Sequence, residues 1–165
     1  MFLCLKLTAP SALPSPERET ILLRTKVMRN LTIVLGCGRL GASIANYSSQ
    51  MGGNVVVMDA NKNSFEKLND AFSGITIAAD TTDVDELIDA GIENANEVII
   101  TTGDDNVNLY LAYICCKRFE VPYIYVRFDD PDKGLLIQGM PIKAIYPFQL
   151  SLDRFSLLRA GVDKQ

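Results

Sequence analysis

An apolar run, Leu31-Thr32-Ile33-Val34-Leu35, opens directly onto Gly36-Cys37-Gly38-Arg39-Leu40-Gly41, and the next apolar run, Val55-Val56-Val57-Met58, is closed by Asp59. The pattern predicts a strand, a G-x-G-x-x-G turn, a helix, a second strand and an acid. Few folds accept that order, because each piece has its own physical task. Gly36 permits the tight turn, Gly38 lets a pyrophosphate approach the backbone, and Gly41 lets the helix lie close to the strand. The unpaired N–H groups and positive dipole end of the helix favour an anion. A carboxylate about 20 residues on accepts hydrogen bonds from ribose hydroxyls, and Asp59 stands 18 residues beyond Gly41. A bare structural turn is the alternative for a lone glycine motif; with strand, helix and acid in place the motif points to mononucleotide or dinucleotide binding.

The alternation continues along the chain. Apolar runs at 31–35, 54–58, 75–79, 97–101, 122–128 and 142–146, with helical stretches between, predict an α/β fold with a Rossmann-like doubly wound parallel sheet. Right-handed crossovers then give the strand order 3-2-1-4-5-6. Helix signals agree: Asn63 with Glu66 three residues on reads as a cap, Gly91 follows a short helix containing Leu87, and Asp104 or Asp105 caps the next. In that longer helix Val107, Tyr110, Leu111 and Ile114 have the spacing of a buried face. The topology gathers four polar clusters at one crevice: the glycine turn, Asp59, Asp80, and Thr101-Thr102-Gly103-Asp104. Asp80 either accepts from an adenine amine or caps a helix beginning near Thr82. Arg39 either meets a distal phosphate or is an ordinary solvated helix arginine.

The composition closes off several classes of function. The chain has 165 residues, 48% of them apolar and 22% charged, which suits one soluble domain. Its net charge of −4 divides into +3 for residues 1–29 and −7 for the rest, and so acidic a body opposes nucleic-acid binding by phosphate neutralisation. No apolar stretch approaches the roughly 20 residues of a spanning helix. With no histidine, a His-based zinc site and a Ser-His-Asp mechanism are excluded. The four cysteines show no metal spacing and read as packing residues, with a redox-sensing Cys37 thiol, acidified by the helix amino terminus, as the alternative. Tyr113-x-x-x-Lys117 is the spacing of short-chain dehydrogenases, so a small NAD-dependent oxidoreductase is the competing function. Residues 1–29, with Pro10, Pro14 and Pro16, read as a tail, and Met28 as an alternative start.

Four further stretches are more specific than the glycine motif: Ala79-Asp80-Thr81-Thr82-Asp83, Leu87 to Ala95, Thr101 to Asn108, and Val126-Arg127 with Asp130-Pro131. Together with Gly36 to Gly41 they make residues Asn30 to Pro147 resemble the N-terminal nucleotide-binding (RCK, or KTN) domain of the Trk/Ktr-type potassium uptake regulators. The resemblance implies a cytosolic regulatory subunit, not an enzyme, at the inner face of the membrane. It would bind NAD(H) or ATP/ADP, assemble as a homodimer or higher ring, and dock on an integral membrane potassium transporter or channel subunit. It assigns Gly36, Cys37, Gly38, Arg39, Leu40 and Gly41 to the phosphates, Asp59 with Ala60 to the ribose, Asp80 with Thr81 to the adenine side, and Thr102-Gly103 to the distal end. Asn106 and Asn108 read as structural. Ala79 stands where the family usually has glycine. Residues 30–148 would be this domain and 149–165 the start of a crossover helix; the family's C-terminal domain does not follow, and a separate chain could carry it. The acid at position 59 disfavours NADP by repelling its 2′-phosphate but suits NAD, ATP, ADP and AMP alike.

Overall fold

The computed structural model describes residues 31–161, so the expectations for residues 1–29 lie outside the described residues. Six strands form one sheet: β1 (Leu31–Leu35), β2 (Asn54–Asp59), β3 (Ile75–Ala78), β4 (Glu97–Ile100), β5 (Tyr123–Arg127) and β6 (Ile142–Ile145). Every pairing is parallel and the order is β3-β2-β1-β4-β5-β6, the topology expected from the sequence. The helices among the described residues are α1 (Arg39–Gln50), α2 (Val84–Asp89), α3 (Asp105–Lys117) and α4 (Pro147–Arg159), with 3-10 segments at Lys62–Lys67, Ile92–Asn94 and Pro131–Ile137.

The central strands are apolar through their middles, with polar residues mainly at their ends, because both of their faces are covered. Alternate residues of β1 enter different clusters. Ile33 and Leu35 join Met58, Val98, Ile100, Leu111 and Phe128, while Val34 meets Val57, Ile99, Ala42 and Ala45. β3 ends the sheet with Ile75 and Thr76 exposed, and its four residues keep that open edge short.

Three local expectations are corrected. The stretch after β2 is a 3-10 segment capped by Asn61, whose side chain accepts from the Asn63 N–H at 3.1 Å, so the cap lies two residues before the expected Asn63. α2 starts at Val84 and is capped by Asp83, which accepts from the Asp85 N–H; Asp80 instead closes a tight loop onto Thr82. On α3 the buried residues are Asn108, Leu111, Ala112 and Cys115, while Tyr110 is 43% exposed and Val107 and Ile114 are half-buried. Leu111, Val107 and Ile114 pack on the core as expected, Tyr110 does not, and Asn108, a polar residue that a hydrophobic count passes over, is bonded into that face instead. Asp104 caps α3, as one of the two expected acids, and Gly91 follows α2 at φ +89°, in the left-handed region that favours glycine.

α4 begins at Pro147, two residues ahead of the expected crossover helix, with proline in the first turn where its missing N–H costs nothing. None of its residues is buried, and Phe148, Leu150, Leu152 and Phe155 are each more than half exposed. No described helix is long and apolar enough to cross a membrane.

Candidate functional site

The glycine turn is held from three directions. The Gly36 N–H donates to the Met58 carbonyl at 2.8 Å, the Thr101 N–H donates to the Leu35 carbonyl at 2.8 Å, and the Thr101 hydroxyl donates to the Gly36 carbonyl at 2.9 Å. The Asp59 carboxylate accepts from the Cys37 N–H at 2.7 Å through Oδ2 and from the Asn61 N–H at 2.8 Å through Oδ1. The ends of β1, β2 and β4 are thereby fixed to one another before any ligand arrives. α1 starts from Gly38 in extended geometry, and no side chain caps it, whereas α2 and α3 are capped by aspartates. Its first N–H groups thus lack the partner that a helix start usually finds in its own sequence.

The two essential glycines of the turn differ from the third. Gly36 sits at φ +96°, and a methyl there would lie 2.8 Å from the Thr101 carbonyl group and the Thr102 nitrogen; at Gly41 it would collide with the Gly36 carbonyl oxygen and reach 2.5 Å from the Thr101 hydroxyl. At Gly38 the nearest atom to such a methyl is the Thr101 carbonyl oxygen at 3.9 Å, an ordinary contact. Among the described residues no contact requires glycine at position 38.

A cavity of about 260 Å³ opens at the carboxyl ends of the strands, lined by Gly36, Gly38, Asp59, Thr81, Thr102 and Gly103, together with Ser64, Thr101 and Arg127. Six of the expected site residues are brought together here. The other six are not in its lining. Cys37 is fully buried beneath the turn, Gly41 lies against Gly36 within the fold, and Leu40 is half-buried; Arg39 and Ala60 are exposed on the outside. Asp80 is exposed too, and its Oδ1 accepts from the Thr82 N–H at 2.8 Å and its hydroxyl at 2.7 Å, bonds that hold the carboxyl below its ordinary value. Ser64 and Arg127 were missed by the sequence reading. For Arg127 the signal was available: it is the last residue of β5, at the same end of the sheet as the other clusters. A larger cleft of about 500 Å³ lies at the amino ends of β1 to β3, but it has no charged lining residue and faces away from the glycine turn. Ligands of open parallel sheets bind at the carboxyl ends.

Asn108 anchors the β4 side of the cavity. Fully buried, it accepts through Oδ1 from the Thr102 N–H at 3.0 Å and hydroxyl at 2.6 Å, and donates through Nδ2 to the Thr102 carbonyl at 3.3 Å and the Arg127 carbonyl at 3.0 Å. One amide thus fixes the backbones of two cavity residues, in keeping with its structural reading.

Burial pushes the Cys37 thiol up from its usual range, and the Asp59 carboxylate adds to the effect; Cys115 is pushed up to about 12 by burial, with Cys116 contributing. The alternative of an acidified Cys37 thiol is therefore corrected, and its packing reading stands: burial and the Asp59 carboxylate raise its value against a lowering by Lys67. At pH 8, alkylation of the native protein should leave Cys37 and Cys115 unmodified until denaturant is added, as peptide mass spectrometry will show. The sign of the accompanying pH effect follows from the raised values. The stability each buried thiol contributes is complete below the unfolded value near 9 and lost as pH rises through the folded one, about 12 for Cys115.

A glycine turn at the switch point of a parallel 3-2-1-4-5-6 sheet, closed by an acid at the end of β2, makes this a Rossmann-type α/β domain. The family described as the TrkA-N domain matches residues 32–147, and the chain belongs to that family. The Streptomyces coelicolor protein named Trk system potassium uptake protein TrkA is 29% identical over 133 residues, covering 79% of this chain and 60% of that relative. The chain therefore spans less than two thirds of its length. Of the solved structures, GsuK bound to ADP superposes with a TM-score of 0.67 at 21% identity, covering 82% of this chain and 35% of that one. The GsuK channel bound to NAD gives 0.68 at 22% identity, covering 78% and 23%. At these identities the likeness establishes the fold.

Proposed function

We propose that this chain is the nucleotide-binding regulatory domain of a Trk/Ktr-type potassium uptake system, taking NAD(H) or ATP/ADP at the carboxyl ends of its strands and acting without breaking a bond. Family membership and the potassium uptake relative support the role, and the ADP- and NAD-bound GsuK structures support the ligand class. The observation that carries the binding reading is Gly38. Its lack of a side chain serves no contact inside the fold, borders the cavity, and stands at the start of a helix with no side-chain cap. An anionic phosphate placed there answers all three at once. At about 260 Å³ the cavity falls just under the usual range of about 300–1,000 Å³ for small-molecule sites, so the ribose and phosphates occupy it while the base extends over β2 and β3.

Regulation needs only that two ligands stabilise two assembly shapes to different extents. The exposed apolar residues of α4 supply the contact, against a second copy in a dimer or ring, a separate chain carrying a C-terminal domain, or the membrane-embedded potassium transporter at its cytoplasmic side. A stand-alone nucleotide sensor is the same reading without that last partner. The oxidoreductase reading is disfavoured by a specific contact: the Tyr113 hydroxyl donates to the Leu136 carbonyl at 2.8 Å, and Tyr113 is not among the cavity residues.

Thermal melting of the whole chain with NAD, NADH, ATP, ADP and AMP tests the proposal. At least one nucleotide should raise the midpoint. Gly38→Val should abolish that rise while leaving the nucleotide-free midpoint within about 3 °C. A Gly38→Val protein still stabilised by nucleotide would remove the binding site from the turn, and no stabilisation of the unaltered chain would remove the binding function itself.

A further inference from the structure

Arg127 is the cationic residue in the cavity lining, and its surroundings are unusual for a residue waiting on an anion. Its carbonyl is fixed by the Asn108 amide at 3.0 Å, so the backbone beneath it does not follow the side chain. The guanidinium is already engaged. Nε donates to Asp129 Oδ1 at 3.0 Å, and a terminal nitrogen donates to Oδ1 at 2.8 Å and Oδ2 at 2.7 Å. The side chains of this pair are 25% and 41% exposed, which keeps the pair weak and exchangeable. Asp129 itself is held: its N–H donates to the Asp105 carboxylate at 3.0 Å, and the Asp130 N–H donates to the same group at 2.8 Å. The competitor therefore stays beside the cavity when the guanidinium turns away.

We infer that Arg127 reads the charge of the bound ligand and that Asp129 sets the threshold, so that only a ligand ending in a densely charged phosphate, a nucleoside 5′-di- or triphosphate, draws the guanidinium out of its ion pair. The chemistry separates the ligand classes. A terminal phosphate presents up to two negative charges on three oxygens and outcompetes a carboxylate for a guanidinium fork. The inner pyrophosphate of a dinucleotide is a diester with one charge on each phosphorus, and it leaves the Arg127–Asp129 pair intact. Asp129 is thus a positioning residue that acts through Arg127. The inference rests on the nucleotide-binding reading of the cavity and adds discrimination between its two ligand classes.

Calorimetric titration of the full chain with ATP, ADP and NAD tests it, using Asp129→Asn, Arg127→Gln and the double variant. Asp129→Asn should tighten ATP and ADP about fivefold and Arg127→Gln should weaken them about tenfold, with NAD moving less than about twofold in either. In the Arg127→Gln background the gain from Asp129→Asn should shrink below about twofold, because the residue it acts through is gone. An undiminished gain there, parallel shifts for ATP and NAD, or ATP affinity indifferent to Arg127→Gln would each overturn the inference. Nucleotide-free melting establishes that the variants are folded, and Arg127→Lys, which keeps the charge and loses the fork, replaces Arg127→Gln if that variant melts early; it should weaken ATP and ADP but not NAD, and equal weakening of all three overturns the inference. If the unaltered chain binds none of the three, the nucleotide reading fails and takes this one with it; if it binds them and the variants do not separate them, this one fails alone.

Discussion

Gly41→Ala should unfold the domain roughly 10 °C below the unaltered chain, a loss of about 3 kcal/mol. Two effects oppose each other at this position. Alanine inside a helix is worth about 1 kcal/mol more than glycine, and Gly41 is the third residue of α1. Against that, the new methyl would collide with the Gly36 carbonyl oxygen and crowd the Thr101 hydroxyl. These are the two partners of the 2.9 Å hydrogen bond that ties β4 to the turn. Backbone on one side and a committed side chain on the other leave little room to yield, so the clash wins and the bond goes with it. Denaturant or thermal unfolding without nucleotide measures the loss directly. A neutral or stabilising Gly41→Ala would show that the close approach of helix and strand does not depend on this glycine. The contrast with Gly38, where a substitution should cost binding and spare stability, separates the fold's requirements from the ligand's within one six-residue motif.

Asn108→Ala should cost a similar amount, about 3 kcal/mol. The asparagine makes four hydrogen bonds from a site with no exposure. Removing it leaves the Thr102 N–H and the Arg127 carbonyl, both partly buried, without their asparagine partner, and each such orphan costs about 1–3 kcal/mol. The leucine variant should do no better, since filling the volume does not return the partners. Asn108→Asp gives a pH signature. A carboxylate still accepts from Thr102 but cannot donate to the Arg127 carbonyl, and burial raises its folded-state value above the unfolded one near 3.9. Stability of that variant should therefore rise as pH falls toward 4 and be lost as pH climbs through the raised value. A flat profile, or an alanine variant within about 0.5 kcal/mol of the parent, would show that Thr102 and Arg127 are held by something else.

The sheet was legible from Leu31 onward because buried parallel strands are written as continuous apolar runs, and the two crossover directions leave one strand order. The same logic brought Gly36, Gly38, Asp59, Thr81, Thr102 and Gly103 to one cavity. What the sequence obscured was polar. Asn108 joined the inward face of α3 because hydrogen bonding, not hydrophobicity, placed it there, beside Leu111, Val107 and Ile114. Asp80 was readable as a ligand residue or a helix cap, and it closes a loop onto Thr82, a choice that aspartate makes from local backbone geometry. Arg127 stood within a motif but was not placed in the site, although it ends β5 at the same edge of the sheet as the other polar clusters. Cys37 was read as a packing residue and is one, fully buried in the core; the alternative of an acidified thiol, drawn from the helix dipole, fails because burial raises its value.

Pro147 to Arg159 is a rod about 20 Å long attached at one end. None of its described residues is buried, and its direction follows largely from the join at Tyr146 and Pro147. A tilt of about 10° at that join sweeps the far end through about 3 Å, a displacement on the scale of one helix ridge slipping against its groove. A change too small to disturb the sheet is thus enough, thirteen residues on, to decide whether a row of leucines and phenylalanines meets its mate in register or out of it.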